Sequence, residues 1–300
     1  MSDKRRAVAI GVFDGMHLGH LAVINSAISL RETGLEPAVF TFSLSGSPKK
    51  GGMIITDEEK QRLLAKLGVD VVESPEFASF AGLDGESFVK ERLIAGLGAS
   101  AVCCGYDFRF GRGRSCGVDE LRDICGRCGL ELHVAAAVTD GGEPVSSSRV
   151  REALTEGDVK TANRLLGRSY SFELEVGHGR RLAGRLGFPT INQRWPEECV
   201  IPRFGVYASK VSVEGDIRAA VTNIGIKPTV AENGEDGVLA ETYIEDYSGD
   251  LYGRMVRVEL LDFMRPEKKF GSLEELRGQV LSDAKAAKLI ATLGEGWKNG

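Results

Sequence analysis

The sequence predicts a two-domain chain: an α/β half built on a parallel sheet, then a small antiparallel β-barrel followed by a terminal helix. Three observations carry this. Through the first half, short apolar runs alternate with helical patterns, as βαβ units require. After Gly167-Arg168-Ser169 the pattern becomes strands punctuated by glycine, which suits a small closed barrel. Three hundred residues, 42% of them hydrophobic, are enough for two separate cores.

In the first half, Ala7–Val12, Ala38–Phe42, Val69–Val72, Ala101–Gly105 and Leu130–Ala137 read as buried parallel strands of a Rossmann-like sheet. Helical patterns fall between them near Leu18–Thr33, Asp57–Leu67, Ser87–Leu97 and Val118–Cys128. Right-handed crossovers then bring the carboxyl ends of the strands to one sheet edge. A further helix runs through Ala162 to Leu166, and Gly167 ends it, which puts the domain boundary between residues 1–167 and 168–300. The second half has strands at Phe172–Val176, Val206–Val213, Ile217–Ile224, Val238–Ile244 and Met255–Phe263. Its last helix, Ser272 to Leu293, opens on Ser-Leu-Glu-Glu, a capping-box pattern.

Composition excludes several classes of function. A net charge of −5 without a long basic block argues against nucleic acid, while leaving room for small anions held by local arginines. The polar segment Met1–Arg6 leads straight into a strand, so neither a signal peptide nor a membrane span is expected, and the expected location is the cytoplasm. The chain is expected as a monomer or weak homo-oligomer. Six cysteines are too few and too unevenly spaced for a disulfide framework. Cys125 and Cys128 form a CxxC near Cys116 and His133, but one knuckle is weak grounds for zinc, and reduced thiols are the expectation.

Two stretches carry chemistry. Gly11-Val12-Phe13-Asp14-Gly15-Met16-His17-Leu18-Gly19-His20 leads from an apolar strand into a helix whose first N–H groups can hold phosphate. His17 and His20, two of only four histidines, fall on one face of the first turn and can donate to charge building on a phosphoryl centre. Ser146-Ser147-Ser148, taken alone, fits an ordinary N-cap, but Arg149 and Arg151 follow at once, as a polyphosphate site would want. In the second half, the Gly-rich, cationic run Gly177-His178-Gly179-Arg180 precedes Gly187-Phe188-Pro189-Thr190-Ile191-Asn192. There Thr190 and Asn192 offer hard oxygen ligands. Glu241 lies inside an otherwise apolar strand, where a carboxylate either works or pairs, with Lys227 and Arg265 as the candidate structural partners.

These motifs resemble the bacterial bifunctional riboflavin kinase/FMN adenylyltransferase family. Further matches follow in family order: Gly105-Tyr106-Asp107-Phe108-Arg109-Phe110-Gly111, Phe204-Gly205-Val206-Tyr207, Asn223-Ile224-Gly225-Ile226-Lys227-Pro228-Thr229, Asp250-Leu251-Tyr252-Gly253 and Arg265-Pro266-Glu267-Lys268-Lys269-Phe270. The resemblance implies that the first half transfers AMP from ATP to FMN and the second phosphorylates riboflavin with ATP, with Mg²⁺ as metal. It implies nucleotide contacts by Gly11, Phe13, Asp14, Gly15, His17, His20, Ser146, Ser147, Ser148 and Arg151. In the kinase half, Gly179, Gly187, Pro189, Thr190 and Asn192 take that part, with Thr190 and Asn192 as metal ligands. Flavin contacts are implied for Gly105, Asp107, Phe108, Asn223 and Arg265. Catalysis is implied for His17, His20 and Arg151 in one half and for Glu241, as general base, in the other.

The chain departs from the family in places. Ser148 and Val150 replace Thr and Ile of the family's SSTxIR motif, and Tyr243 stands where His is common. Phe42-Ser43-Leu44-Ser45-Gly46 lacks the family's Pro-His-Pro. That last change leaves open a riboflavin kinase with weakened adenylyl transfer. A non-catalytic flavin- or nucleotide-binding regulator is the third reading, against which Glu241, Thr190, Asn192, His17 and His20 all stand.

Overall fold

The computed structural model describes residues 5–42, 51–177, 190–227 and 237–293. The departure at Ser43–Gly46 and the expected contacts Gly179, Gly187 and Pro189 lie outside these residues, as does the side chain of Lys227. By packing, the chain divides into Met1–Ser147 and Ser148–Gly300.

The first unit is a five-stranded sheet of β1 (Arg6–Ile10), β2 (Glu36–Phe40), β3 (Val71–Glu73), β4 (Ala99–Gly105) and β5 (Glu131–Ala135), in the order β3-β2-β1-β4-β5. Every pairing is parallel. Strands buried on both faces need apolar side chains throughout, and Ala7, Val8, Ala9, Ala38, Val39, Ala101 and Val102 are fully buried. Helices α1 (Leu18–Ser29), α2 (Asp57–Leu67) and α4 (Val118–Cys128) form where the 3.6-residue pattern runs. Between them, α3 (Gly85–Ser87) continues as a π-helix through Phe88–Gly96. Glycines end α2 and α4: Gly68 and Gly129 adopt φ of 87° and 69°, a conformation that costs a side chain energy. A two-stranded hairpin, β6 (Thr139–Asp140) and β7 (Glu143–Pro144), completes the unit.

Strand order reverses direction at β1, whose neighbours are β2 on one side and β4 on the other. In such sheets the crevice beyond the carboxyl ends at this switch is where ligands bind. Register places Ala9 opposite Cys103. Gly11 and Gly105 therefore leave the sheet at the same edge.

The second unit begins at Ser148, within α5 (Ser147–Glu156), and continues into α6 (Val159–Leu166), which packs with the barrel. Asn163 ties α6 to it, donating to the Leu260 carbonyl and accepting from the Tyr170 N–H. The barrel is closed in the order β10-β11-β12-β9-β8-β13. Its strands are β8 (Tyr170–Gly177), β9 (Thr190–Arg194), β10 (Gly205–Val213), β11 (Asp216–Lys227), β12 (Gly237–Ile244) and β13 (Met255–Arg265). Closure removes exposed edges, and six strands leave an interior that side chains alone fill.

That interior is partly polar. Gln193, Ser209, Thr222 and Thr242 are fully buried. Hydroxyls link Ser209 to Thr222 at 2.8 Å and Thr222 to Thr242 at 3.0 Å, while the Gln193 amide donates to the carbonyls of Leu174 and Val256. The last helix, α7 (Leu273–Leu293), lays Ala284 and Ala287 against Val206, Ala208 and Val221. Ser272 caps it by accepting from the Glu275 N–H, and the Glu275 carboxylate accepts in return from Gly271 N–H.

All six cysteines are free, and His133 faces Glu131 at 2.9 Å rather than a thiol. Burial pushes the thiols of Cys103 and Cys125 up to about 11 and that of Cys104 to about 12. Among the described residues no cluster of His, Cys, Asp or Glu is suited to a metal ion. Nor is any helix among them long and apolar enough to cross a membrane.

Candidate active sites

The loop after β1 is wound tightly. Phe13, Gly15 and Met16 have φ of 54°, 82° and 45°. For Phe13 and Met16 the left-handed conformation costs on the order of 1–3 kcal/mol each, a strain characteristic of ligand-binding turns. Buried contacts hold it. Asp14, 3% exposed, accepts from the Ile54 N–H at 2.9 Å, and a Cβ on Gly15 would strike Ile54 at 2.8 Å. The Thr41 hydroxyl donates to the Val12 carbonyl.

This winding delivers the histidines. His17 is the N-cap of α1: its Nδ1 accepts from the His20 N–H at 3.3 Å. The two rings stack with centroids 3.6 Å apart and 20° between planes, and Phe13 supports His20 edge-on at 5.4 Å. An accepting Nδ1 carries no proton, so in the neutral ring the proton sits on Nε2, at the opposite end of the imidazole. His17 therefore caps the helix through Nδ1 and, when neutral, carries its proton at Nε2.

Ser147 comes to the same place. Ser147 Oγ donates to the Asp14 carbonyl at 2.9 Å, and a Cβ on Gly19 would sit 3.5 Å from the Val145 carbonyl. Ser146 and Ser147 thus flank the histidine loop. Ser148 and Arg151 fall in the second unit, on α5. Of the expected nucleotide contacts, Asp14 and Phe13 support the loop: one side chain is bonded to Ile54 and the other is 1% exposed.

At the end of β4, the Phe108 N–H closes a turn onto Gly105, and Asp107 Oδ1 would lie 3.3 Å from a Cβ on that glycine. Phe108 stacks on Phe110 at 5.6 Å, and Phe110 is core. Tyr106, half exposed beside them, is a candidate flavin contact that sequence reasoning missed; its signal was an aromatic at the end of a buried strand.

The barrel assembles the second set by register alone. Asn192 on β9 lies opposite Glu241 on β12, and Glu241 lies opposite Asn223 on β11. Thr190 lies opposite Tyr243 in the next row on the same face. Side chains directly opposite have Cβ atoms about 4.5–5.5 Å apart, so Asn192, Glu241 and Asn223 form one polar row on the outside of the barrel. Two oxygen donors two residues apart on one strand, beside a carboxylate, fit Mg²⁺, which takes few protein ligands and completes its shell with water and phosphate.

Arg265 also has a structural partner. Its guanidinium grips Asp283 of α7 at 2.7 and 3.1 Å, and Asp283 is 5% exposed. It lies opposite Val206, which in turn lies opposite Asn223, so Arg265 ends the same cross-strand row while binding the terminal helix. Glu267 was overlooked. Asn223 Nδ2 donates to it at 3.0 Å.

Comparison with known proteins joins these observations. Residues 1–149 match the FAD synthetase family model and residues 166–291 the riboflavin kinase model. Proteins named bifunctional riboflavin kinase/FMN adenylyltransferase are similar over almost the whole chain. The one from Listeria monocytogenes is 34% identical over 94% of this chain and 91% of its own. For that from Bacillus subtilis the figures are 34%, 94% and 92%, and for that from Pseudomonas fluorescens 35%, 96% and 94%. A crystal structure described as a macrolide-efflux protein from Streptococcus pneumoniae has the same fold, with a TM-score of 0.84, 27% identity and coverage of 96% and 95%.

Proposed function

The chain belongs to the bifunctional riboflavin kinase/FMN adenylyltransferase family, and from that premise we propose that it phosphorylates riboflavin to FMN with one ATP and adenylylates FMN to FAD with a second. The functional boundary falls at Gly167, ahead of β8. We place the enzyme in the cytoplasm, as a monomer or weak homo-oligomer, without nucleic-acid or membrane partners.

In the kinase half, Glu241 takes the proton from the ribityl 5′-hydroxyl as that oxygen attacks the γ-phosphorus and ADP leaves. Thr190 and Asn192 are the residues that would hold Mg²⁺, whose contribution when bound is to offset phosphate charge. Asn223 contacts the flavin. Arg265 contacts it as well, and also fixes α7 through Asp283. The nucleotide contacts of Gly179, Gly187 and Pro189 complete this reading from the family pattern.

In the other half, a phosphate oxygen of FMN attacks the α-phosphorus of ATP and pyrophosphate leaves. His17 Nε2–H and His20 stabilise the charge that develops on the α-phosphate, and the N–H groups at the start of α1 add to it. Ser146, Ser147, Ser148 and Arg151 hold the outer phosphates, while Gly11 and Gly15 let the backbone approach the nucleotide. Gly105, Asp107 and Phe108 line the flavin side.

One observation carries the kinase assignment: the register that sets Glu241 between Asn192 and Asn223. The Glu241→Gln variant tests it. FMN formation should fall by about 10²–10⁴, while adenylylation of supplied FMN continues. Loss of both activities with the fold intact would refute the assignment.

A further inference from the structure

The motifs Asn223-Ile224-Gly225 and Arg265-Pro266-Glu267 lie more than forty residues apart in sequence and meet on the barrel surface. Asn223 Nδ2 donates to Glu267 Oε1 at 3.0 Å. Gly225 makes the meeting possible: a Cβ there would collide with the Glu267 carboxylate, so any larger residue would push Glu267 away. A carboxylate only accepts, so Glu267 dictates which end of the Asn223 amide faces it. The other end, Oδ1, is buried and has no hydrogen-bond partner among the described residues, in a residue directly opposite Glu241. Leaving a buried acceptor alone is costly, and a substrate donor would recover that cost on binding.

We infer that Glu267 is a positioning residue of the phosphorylation site: it locks the Asn223 amide so that Oδ1 accepts from a hydroxyl of the substrate's polyol chain while Glu241 receives the terminal one. The inference rests on the kinase reading above. The polyol is favoured over the flavin ring because adjacent cross-strand side chains, about 5 Å apart, match neighbouring hydroxyls on one chain. Were the amide free to turn, Nδ2 would present a donor where the substrate also donates.

The test uses the full-length enzyme and initial rates of riboflavin phosphorylation. Glu267→Ala should raise KM for riboflavin about tenfold, the worth of one buried hydrogen bond, with a smaller effect on kcat. Adenylylation of supplied FMN should be unchanged. Asn223→Asp sets two carboxylates against each other and should cost more than Glu267→Ala. Adding Glu267→Gln to Asn223→Asp restores a donor facing an acceptor, with an oxygen still turned to substrate, and should recover at least tenfold of the loss. A merely structural contact predicts no such split between KM and kcat. N3-methylriboflavin, whose ring imide cannot donate, should show the same Glu267→Ala effect.

A riboflavin KM within about twofold of wild type in Glu267→Ala, set against that expected loss, overturns the inference. So does absence of rescue in the double variant, or disappearance of the Glu267→Ala effect with the N3-methyl compound. Glu241→Gln, run beside them, separates the two levels. If it remains an active kinase, the site reading itself fails; if it is inactive while Glu267→Ala behaves as wild type, only the role of Glu267 fails.

Discussion

His17 holds two positions at once, and two substitutions separate them. As N-cap it accepts from the His20 N–H, and as an aromatic it stacks on His20 at 3.6 Å. His17→Ala removes both. A lost N-cap costs about 0.5–2 kcal/mol and an aromatic pair about 0.5–1.5 kcal/mol. Destabilisation of about 1–3.5 kcal/mol follows, since the site is 5% exposed and water cannot easily replace the cap. His17→Asn keeps a strong capping side chain, so only the stacking contribution is lost. Neither variant retains an imidazole Nε2–H for the α-phosphate, and removal of one such donor costs about 10²–10³ in kcat. Both should therefore lose FMN-to-FAD conversion alike, measured chromatographically with saturating ATP, while urea melts place His17→Asn closer to wild type. If Asn restores adenylylation together with stability, His17 is a cap and the catalytic role is wrong.

Thr222 is the middle of the buried hydroxyl chain from Ser209 to Thr242. Thr222→Val strands two hydroxyls at constant shape and should destabilise the barrel by about 1–3 kcal/mol in urea melts; a cost below about 0.5 kcal/mol would show that the chain contributes little. Gly205 has φ of 148°, and a Cβ there would lie 2.5 Å from the Arg265 carbonyl and 2.7 Å from Phe263. Gly205→Ala should thus weaken the kinase unit by several kcal/mol, about 1–3 each from strain and overpacking; unaltered kinase melting would contradict it. The three buried thiols predict alkaline sensitivity. Their folded values, about 11 to about 12, exceed the ordinary thiol value of 9.0, so the unfolded chain loses protons first and stability falls as pH rises from about 9. Cys104→Ala should make that decline shallower across pH 9 to 11, and an unchanged slope refutes the burial argument.

Local chemistry was legible. The limits of α2 and α4 follow from a capping Thr56, the Glu120 carboxylate on Gly117 N–H, and the glycines behind each helix. The parallel sheet followed from alternation, whereas its strand order did not. Strand β9 was less visible because its polarity is inverted: Gln193 points into the barrel, its amide nitrogen donating to two carbonyls, while Thr190 and Asn192 share the outer face. The residues read as ligands from motif alone divide by packing. Asp14 is also bonded to Ile54 and Arg265 to Asp283, partners distant in sequence that no local pattern announces. The row of Asn192, Glu241 and Asn223, with Glu267 at its end, exists only through strand register. Sequence spacing carries no trace of it.

The most direct measurement is a time course of purified wild-type protein with riboflavin, ATP and MgCl₂, following flavins and nucleotides together. The account predicts FMN first and FAD from it, with one ADP for each riboflavin phosphorylated and one pyrophosphate for each FAD formed. Riboflavin that stays unphosphorylated would contradict the barrel site, and FMN that accumulates without any FAD or pyrophosphate would contradict the histidine site.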